Sequence, residues 1–131
     1  MASILRVNTL TDASSNNSVD TSVLFNGTAK MWVNYNSNDG TPAIQDSYNA
    51  TSITDNGTGD YTFTIANDMA NSTYVVNVAT SDANTNTSVL VGVTQGASLT
   101  TGLFKIYILN EDSGVSDGAD PNGVSVLGDL A

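Results

Sequence analysis

Alternation of apolar and polar residues is the feature of this sequence that most limits its fold. In YTFTI, at residues 61–65, every second side chain is large and apolar, as in a β-strand that turns one face towards a core. Helical periodicity is almost absent, and one short helical turn is predicted at residues 67–71. The predicted strands are residues 3–10, 28–35, 48–54, 60–66, 73–80, 88–94 and 102–110.

Clusters of Asn, Asp, Gly and Ser lie between these strands, for example NSNDG and SDANTNTS. Such residues favour turns because they tolerate positive φ or hydrogen-bond to their own backbone. Short strands that alternate with turns in this way are typical of two packed antiparallel sheets. The sequence therefore predicts an all-β fold, an antiparallel β-sandwich with an N-terminal arm.

The stretch SITDNGTGDYTFTI, at residues 52–65, joins a turn to a strand. A phosphate-binding loop would need a Lys-Ser/Thr pair after its last glycine and then a helix, but here Asp60 and a strand follow. The Asn-Gly pair favours a hairpin, and Gly59 adds a position where positive φ costs little. We expect the segment to reverse the chain, with a buried side formed by Ile53, Tyr61, Phe63 and Ile65.

The N-terminal segment is predicted to be separate from the sandwich. Residues 12–26 carry few large apolar side chains before position 23 and are interpreted as a linker. The predicted domains are therefore an arm with its linker at 1–26 and a β-sandwich at 27–131. An isolated strand cannot bury its own apolar residues, so we expect the arm to pair with another protein chain, or else with the edge of its own sheet. The residues predicted to dock are Ile4, Leu5, Val7 and Leu10.

Two predicted strands carry apolar residues on both faces. In MWVNY, at 31–35, the inward set is expected to be Met31, Val33 and Tyr35, which turns the single Trp outward. In LFKIYIL, at 103–109, both faces of the strand carry apolar residues. One face has Phe104, Ile106 and Ile108, and the other has Leu103, Tyr107 and Leu109. Such surfaces are usually covered by loops of the same chain or by a neighbouring subunit. The candidate subunit contacts are Trp32, Phe104 and Tyr107.

Charge and composition exclude many functions. Thirteen acidic residues against three Lys and Arg give a formal net charge of -10, which argues against nucleic-acid partners and anionic membranes. Without Cys or His, the chain lacks disulfides, Cys/His zinc sites, thiol nucleophiles and an imidazole base. No apolar run is long enough for a signal peptide or a membrane span, so we expect neither secretion nor membrane insertion.

The remaining chemistry would depend on carboxylates. The acidic loop at 111–123 is rich in oxygen ligands but does not match the spacing of an EF-hand, so it is either a cation site or, preferably, a solvated loop. Asp55 with Asp60, and Asp117 with Asp120, are formal carboxylate pairs of the glycosidase kind. Catalysis by such pairs also needs a deep cleft and one shielded carboxyl. We therefore predict no catalytic residue, no metal site and no cofactor.

Three stretches of the chain carry a family resemblance. They are AKMWVNYN at 29–36, TPAIQDSYNATSITDNGTGDYTFTIANDM at 41–69 and NSTYVV at 71–76. Together with the arm sequence ILRVNTLTDASS, they resemble a module of tail-fibre and other virion structural proteins of bacteriophages, particularly marine ones. The resemblance spans about residues 3–110, and its central SxTDNGTGDYT signature is specific. The tail from residue 111 onward matches no pattern of this family.

The resemblance implies a virion protein that forms a homotrimer and attaches through its N-terminal arm to capsid or tail proteins. Fibres that bind receptors usually carry a further C-terminal domain, whereas this chain ends about 20 residues after its last predicted strand. A short head-decoration (cement or knob) protein is therefore favoured over a long tail fibre, although the sequence does not separate the two. The second hypothesis is an adhesion module for host attachment, which binds a receptor or surface glycan through Tyr35, Asn36, Asp39 and Tyr48.

Overall fold

The computed structural model of the chain describes residues 4, 6–37, 41–81, 89–93, 98–110, 114–115, 117 and 120–131. Strands dominate the described part, which also contains one short helix. In chain order the elements are β1 (Thr9–Thr11), β2 (Ser18–Asp20), α1 (Thr21–Gly27), β3 (Met31–Asn36), β4 (Ala43–Tyr48), β5 (Ala50–Gly57), β6 (Asp60–Ile65), β7 (Val75–Ala79), β8 (Val89–Val93), β9 (Leu103–Asn110), β10 (Gly114–Val115) and β11 (Asn122–Leu127).

The strands of the main body form two antiparallel sheets that pack together as a sandwich. Sheet I has the order β4-β3-β11-β7. In sheet II, β9 lies between β6 and β8, with β5 outside β6. Strand β10 continues beyond β6 along the same edge of β9, because Leu109 pairs with β8 on the other edge. The predicted all-β antiparallel sandwich is confirmed.

The core consists of the inward faces of the central strands. Strand β3 has the burial alternation that its sequence predicts, with Met31, Val33 and Tyr35 buried and Trp32 exposed. Strands β6, β9 and β11 alternate in the same way, so the apolar sides of both sheets meet. The rings of Phe63 and Phe104 stack across adjacent strands of sheet II, with centroids 5.2 Å apart.

The hairpin between β5 and β6 is also confirmed. Gly57 and Gly59 adopt φ values of 133° and 64°, in the region that favours glycine. Their positive φ values reverse the chain so that Ile53 pairs with Phe63 across the two strands. On its core side the hairpin buries alternate residues of β6, and Ile53 is partly buried.

The predicted strand at 48–54 is two strands in different sheets. Strand β4 ends at Tyr48 in sheet I and β5 begins at Ala50 in sheet II, so Asn49 is the single residue at this crossing between the sheets. Asn49 adopts a φ of 57°, and its amide nitrogen donates hydrogen bonds to the carbonyl oxygens of Lys30 and Asn67 at 2.9 and 3.1 Å. The polar side chain of Asn49 therefore fixes the crossing between the two layers.

Three other sequence predictions are wrong. The predicted linker at 12–26 contains β2 and most of α1, and β1 pairs with β2 instead of the edge of the sandwich. The predicted turn at 67–71 is not helical, and Met69 there forms a bridge with Leu130. The tail after residue 110 supplies β11, which lies between β3 and β7.

Candidate assembly surfaces

The N-terminal arm exposes apolar side chains along its whole described length. No residue of α1 is buried, and Phe25 is 70% exposed. Of the predicted docking residues, Ile4, Val7 and Leu10 are exposed, and Leu5 lies outside the described residues. The exposed large apolar residues of the arm are Ile4, Val7, Leu10, Val23, Leu24 and Phe25.

Polar side chains give this arm a defined shape. Asp12 closes the β1–β2 turn by accepting hydrogen bonds from the Asn17 side chain at 2.8 Å and from the Asn16 backbone at 3.0 Å. The bond from Asn17 is the main reason that the pKa of Asp12 is lowered. Thr9 donates to Asp20 across the hairpin at 3.1 Å. The arm therefore contains a hairpin followed by a helix, which hold four of its exposed apolar residues, Leu10, Val23, Leu24 and Phe25.

Lys30 joins the arm to the sandwich. It is 9% exposed, and its ammonium group donates hydrogen bonds to the Phe25 carbonyl oxygen of α1 and to the Thr28 hydroxyl. A cation at the carboxyl end of a helix also interacts favourably with the helix dipole. A groove of about 540 Å³ lies at this junction, lined by Phe25, Thr28, Ala29, Lys30, Tyr48, Asp129 and Leu130.

The outer face of sheet II carries a mixed apolar and charged patch on β9. Leu103 and Leu109 are 36% and 38% exposed, and Tyr107 is half-buried between them. Lys105 Nζ lies 2.7 Å from Asp60 Oδ2 and 5.1 Å from the centroid of the Tyr107 ring. The hydrogen bond to Asp60 is the main cause of the raised pKa of Lys105. We call Leu103, Tyr107 and Leu109 the β9 patch.

The outer face of sheet I carries an aromatic pair. Trp32 of β3 lies directly across from Tyr48 of β4, and the two residues are 38% and 54% exposed. On the other side of Trp32, β11 presents Ser125 and then Gly123. Trp32 and Tyr107 therefore lie on opposite outer faces of the sandwich.

Two residues predicted to be functional lie in the core instead. Phe104, a predicted subunit contact, is fully buried against Phe63, so that prediction is wrong. Tyr35, a predicted glycan contact, is also fully buried, with its ring 5.2 Å from that of Phe63. In the same predicted glycan set, Asn36 is half-buried and Asp39 lies outside the described residues. Tyr48 alone remains as the exposed aromatic of that set.

The carboxylates considered for catalysis have structural partners. Asp60 pairs with Lys105, and Asp117 accepts hydrogen bonds from the Gly59 amide and the Tyr61 hydroxyl. Asp120 accepts one from Gln45. Within the described ranges, no three acidic side chains form a group that could hold a metal ion. Of the predicted acidic loop, the described residues are 114, 115, 117 and 120–123.

The fold and its surfaces define a class, an all-β sandwich with a projecting apolar arm. Comparison with protein-family models, curated proteins and solved structures finds no match to this chain. In the described part of the chain, no helix is long and apolar enough to cross a membrane.

Sequence reasoning missed the three apolar residues of α1, which are Val23, Leu24 and Phe25. They follow a polar stretch and stand in succession, so they match neither the alternation of a strand nor the spacing of an amphipathic helix. A run of three apolar residues inside a predicted linker was the available signal. It would have extended the candidate docking surface from β1 to the junction with β3.

Proposed function

We propose that this chain is a bacteriophage virion structural protein, displayed on the particle as a homotrimer and anchored by its N-terminal arm. The resemblance of residues 29–76 to tail-fibre and virion modules supports this class. The observation that carries the proposal is the arm itself, whose exposed apolar side chains include Leu10 on β1 and Val23, Leu24 and Phe25 on α1. Its proposed partners are other virion proteins of the capsid or the tail.

Burial of the arm would supply the binding energy. Removing a large apolar side chain from water contributes about 1.5–3 kcal/mol when burial is complete. Phe25 and Val23 are 70% and 58% exposed, so most of this contribution is available for docking. Solvent-exposed apolar clusters of this kind are typical of protein interaction sites. The proposed mechanism is therefore association, without chemistry.

The β9 patch is the proposed contact between subunits. Leu109 is the next outward residue after Tyr107 on β9, and Lys105, paired with Asp60, lies between Tyr107 and Leu103. Trp32, the other exposed candidate, has Ser125 as a neighbour on β11 and Asn34 as the next outward residue of β3. We therefore propose that the subunit contact lies on sheet II, around the adjacent outward side chains of Tyr107 and Leu109.

The arm can be tested by binding of the purified protein to particles that lack it. We expect a Leu24→Ser, Phe25→Ser variant to bind at least tenfold more weakly than the unchanged protein. The matched control is Val75→Ser, which alters a side chain of the sandwich that is 55% exposed. Equal binding of all three proteins would contradict arm anchoring.

Virion location and assembly have separate tests. In purified particles, abundance comparable with that of the shell protein would assign head decoration, and a few dozen copies or fewer would assign a tail appendage. Absence from particles would overturn the proposal.

Light scattering should give a mass three times the 13.5 kDa of one chain. Tyr107→Asp should lower that mass, and a monomeric unchanged protein would contradict the trimer.

A further inference from the structure

Gly123 is the second residue of β11, and nothing in its own chain requires a glycine there. It pairs regularly with Asn34 of β3 and Ala79 of β7, and β11 contains no bulge in either pairing. A β-carbon at this position would meet only the Val33 carbonyl oxygen, at 3.9 Å, which is an ordinary contact. Glycine inside a strand costs about 0.5–1 kcal/mol relative to alanine. Such a glycine often marks the close approach of a ligand or another backbone.

A trough runs over Gly123 on the outer face of sheet I. One depression of about 290 Å³ is formed by β7 and β11 and includes Asn77 and Ser125. A second, of about 280 Å³, includes Asn34 and Thr80. The two depressions share Ala79 and Gly123 as lining residues, so they form one continuous feature, the Gly123 trough.

The aromatic pair of sheet I borders this trough. Trp32 lies across from Ser125, and Tyr48 lies beyond Trp32 on the neighbouring strand. Because both rings are partly exposed on the same face of the sheet, they offer apolar surface beside the polar trough. Tyr and Trp combine a large apolar ring with a hydrogen-bonding group, which suits partly wet binding sites.

The polar groups of the trough are neutral. All the described lining residues are uncharged, although the chain as a whole carries a formal net charge of -10. The Oδ1 atom of Asn34 is buried and accepts no hydrogen bond within the described structure. Amide and hydroxyl groups can both donate and accept hydrogen bonds. The trough therefore suits a neutral ligand that carries many hydroxyl groups.

We propose that the Gly123 trough binds a neutral glycan chain. A sugar ring lies against Trp32 and Tyr48, and its hydroxyl groups bind to Asn77 and Ser125. An added peptide strand does not fit, because the backbone of β11 is already paired with strands on both sides. An anionic polymer is disfavoured by the charge of the protein. The site lies within one chain and does not depend on the proposed trimer.

The single Trp of the sequence provides the readout. Its fluorescence is followed while neutral oligosaccharides of glucose, galactose or mannose are added, with alginate oligosaccharides as the anionic comparison. We expect a saturable change with at least one neutral series. No saturable change with any of them, or equal binding of alginate, would overturn the proposal.

Gly123→Val locates the site. Since a β-carbon is tolerated there, the variant should fold while its side chain fills the trough, and glycan affinity should fall at least tenfold. Thr62→Val, on the outer face of sheet II, is the matched control and should bind as the unchanged protein does. Thermal unfolding of both variants checks the fold. A Gly123→Val protein that is folded and binds with unchanged affinity would refute the location.

Because Trp32 is itself the fluorescent probe, variants of Trp32 need a second assay. Affinity gel electrophoresis in a neutral polysaccharide provides it, because binding to the polysaccharide retards the protein. Trp32→Ala should remove the retardation, and Tyr48→Ala should weaken it. A Val23→Ser, Leu24→Ser arm variant should bind particles weakly but be retarded normally, because it leaves unchanged Phe25, the residue of α1 that shares a groove with Tyr48. Loss of glycan binding and loss of particle binding are therefore distinguishable.

Discussion

The hydroxyl group of Tyr61 donates a hydrogen bond to Asp117, with 2.6 Å between Oη and Oδ1. The same carboxylate oxygen accepts a hydrogen bond from the Gly59 amide at 2.7 Å. Asp117 precedes β11, whereas Gly59 and Tyr61 belong to the β5–β6 hairpin. One carboxylate therefore ties the segment before β11 to the hairpin of the opposite sheet.

Removal of the Tyr61 hydroxyl should destabilise the fold. Hydrogen bonds to charged groups contribute about 1.5–3 kcal/mol, and Asp117 is half-buried. We expect Tyr61→Phe to lower the free energy of unfolding by an amount near the lower end of that range, measured by urea titration. Tyr48→Phe is the control, because this ring is 54% exposed. If the two variants are equally stable, the bond has no net effect on stability.

Stability should decrease in alkaline solution. Burial is the main cause of the raised pKa values of Tyr35, Tyr61 and Tyr74. It raises the pKa of Tyr74 to about 12. Tyrosine in an unfolded chain has a pKa of about 10. Above that pH the unfolded chain loses phenolic protons that the folded protein retains. The stability that the protonated tyrosines contribute is therefore complete below pH 10 and is lost as pH rises through 12.

This prediction can be measured by tyrosinate absorbance and circular dichroism on the same samples. The three buried tyrosines should ionise together with unfolding. The variant Tyr74→Phe removes one of these protons and should make the loss of stability with pH less steep. Ionisation of all five tyrosines before any loss of structure would contradict the prediction that the buried tyrosines ionise only on unfolding.

Truncation of Phe104 should destabilise the fold strongly, whereas truncation of Phe25 should leave its stability almost unchanged. Phe104→Ala removes a fully buried ring that stacks on Phe63 and should cost about 3–5 kcal/mol of unfolding free energy. Phe25→Ala alters a ring that is 70% exposed and should change stability by less than about 0.5 kcal/mol. Denaturant unfolding of both variants is the measurement. A stable Phe104→Ala protein with reduced oligomeric mass would restore Phe104 as a subunit contact.

The elements predicted correctly are those whose alternation involves large residues. Strands β3, β6 and β9 place bulky side chains on one face, so their period of two was clear. Strand β11 has the same period, but Val124 and Val126 are small and follow an acidic segment, which made it resemble a tail. Strand β4 is exposed almost throughout, so no buried face shaped its sequence. Helix α1 has seven residues, which is too short to display a helical period.

Two glycines should respond differently to alanine. Gly59→Ala places a β-carbon at a φ of 64° and should destabilise by about 1–2 kcal/mol. Gly123→Ala adds a β-carbon to a regular strand, where it makes an ordinary contact of 3.9 Å with the Val33 carbonyl oxygen, and should stabilise by about 0.4–1 kcal/mol. Thermal unfolding of the two variants side by side is sufficient. A destabilised Gly123→Ala would mean that the trough floor has a packing role in its own chain.

Loss of the Lys30 ammonium group should release the arm. Lys30→Met keeps most of the apolar stem but removes the donor to the Phe25 carbonyl oxygen and the Thr28 hydroxyl. We expect faster amide hydrogen exchange in α1, with exchange in β3 unchanged. Lys105→Met, on the outer face of sheet II, is the control and should leave α1 unaffected. If exchange in α1 is unaltered, Lys30 does not hold the arm.

The candidate sites were less predictable than the fold. The alternation of side chains divides a strand into two faces, but it does not show which face is covered when both are apolar. In β9 both faces are apolar, and only the position of sheet I buries Phe104 and leaves Leu103 exposed. Tyr35 has a polar hydroxyl that suited a surface role, yet its ring belongs to the inward series of β3. The trough over Gly123 combines β3, β7 and β11, which are far apart in the chain and could not be associated before their pairing was known.

The position of β11 between β3 and β7 also bears on how the protein is made. During synthesis, β3 and β4 can pair as soon as they leave the ribosome, but β7 has no partner in sheet I until residues 122–127 follow. Contacts this distant in sequence form late, because a long loop must close first. A nascent chain interrupted before residue 122 therefore leaves β7 and one edge of β3 unpaired and accessible to chaperones and proteases, so sheet I is complete only after translation through β11.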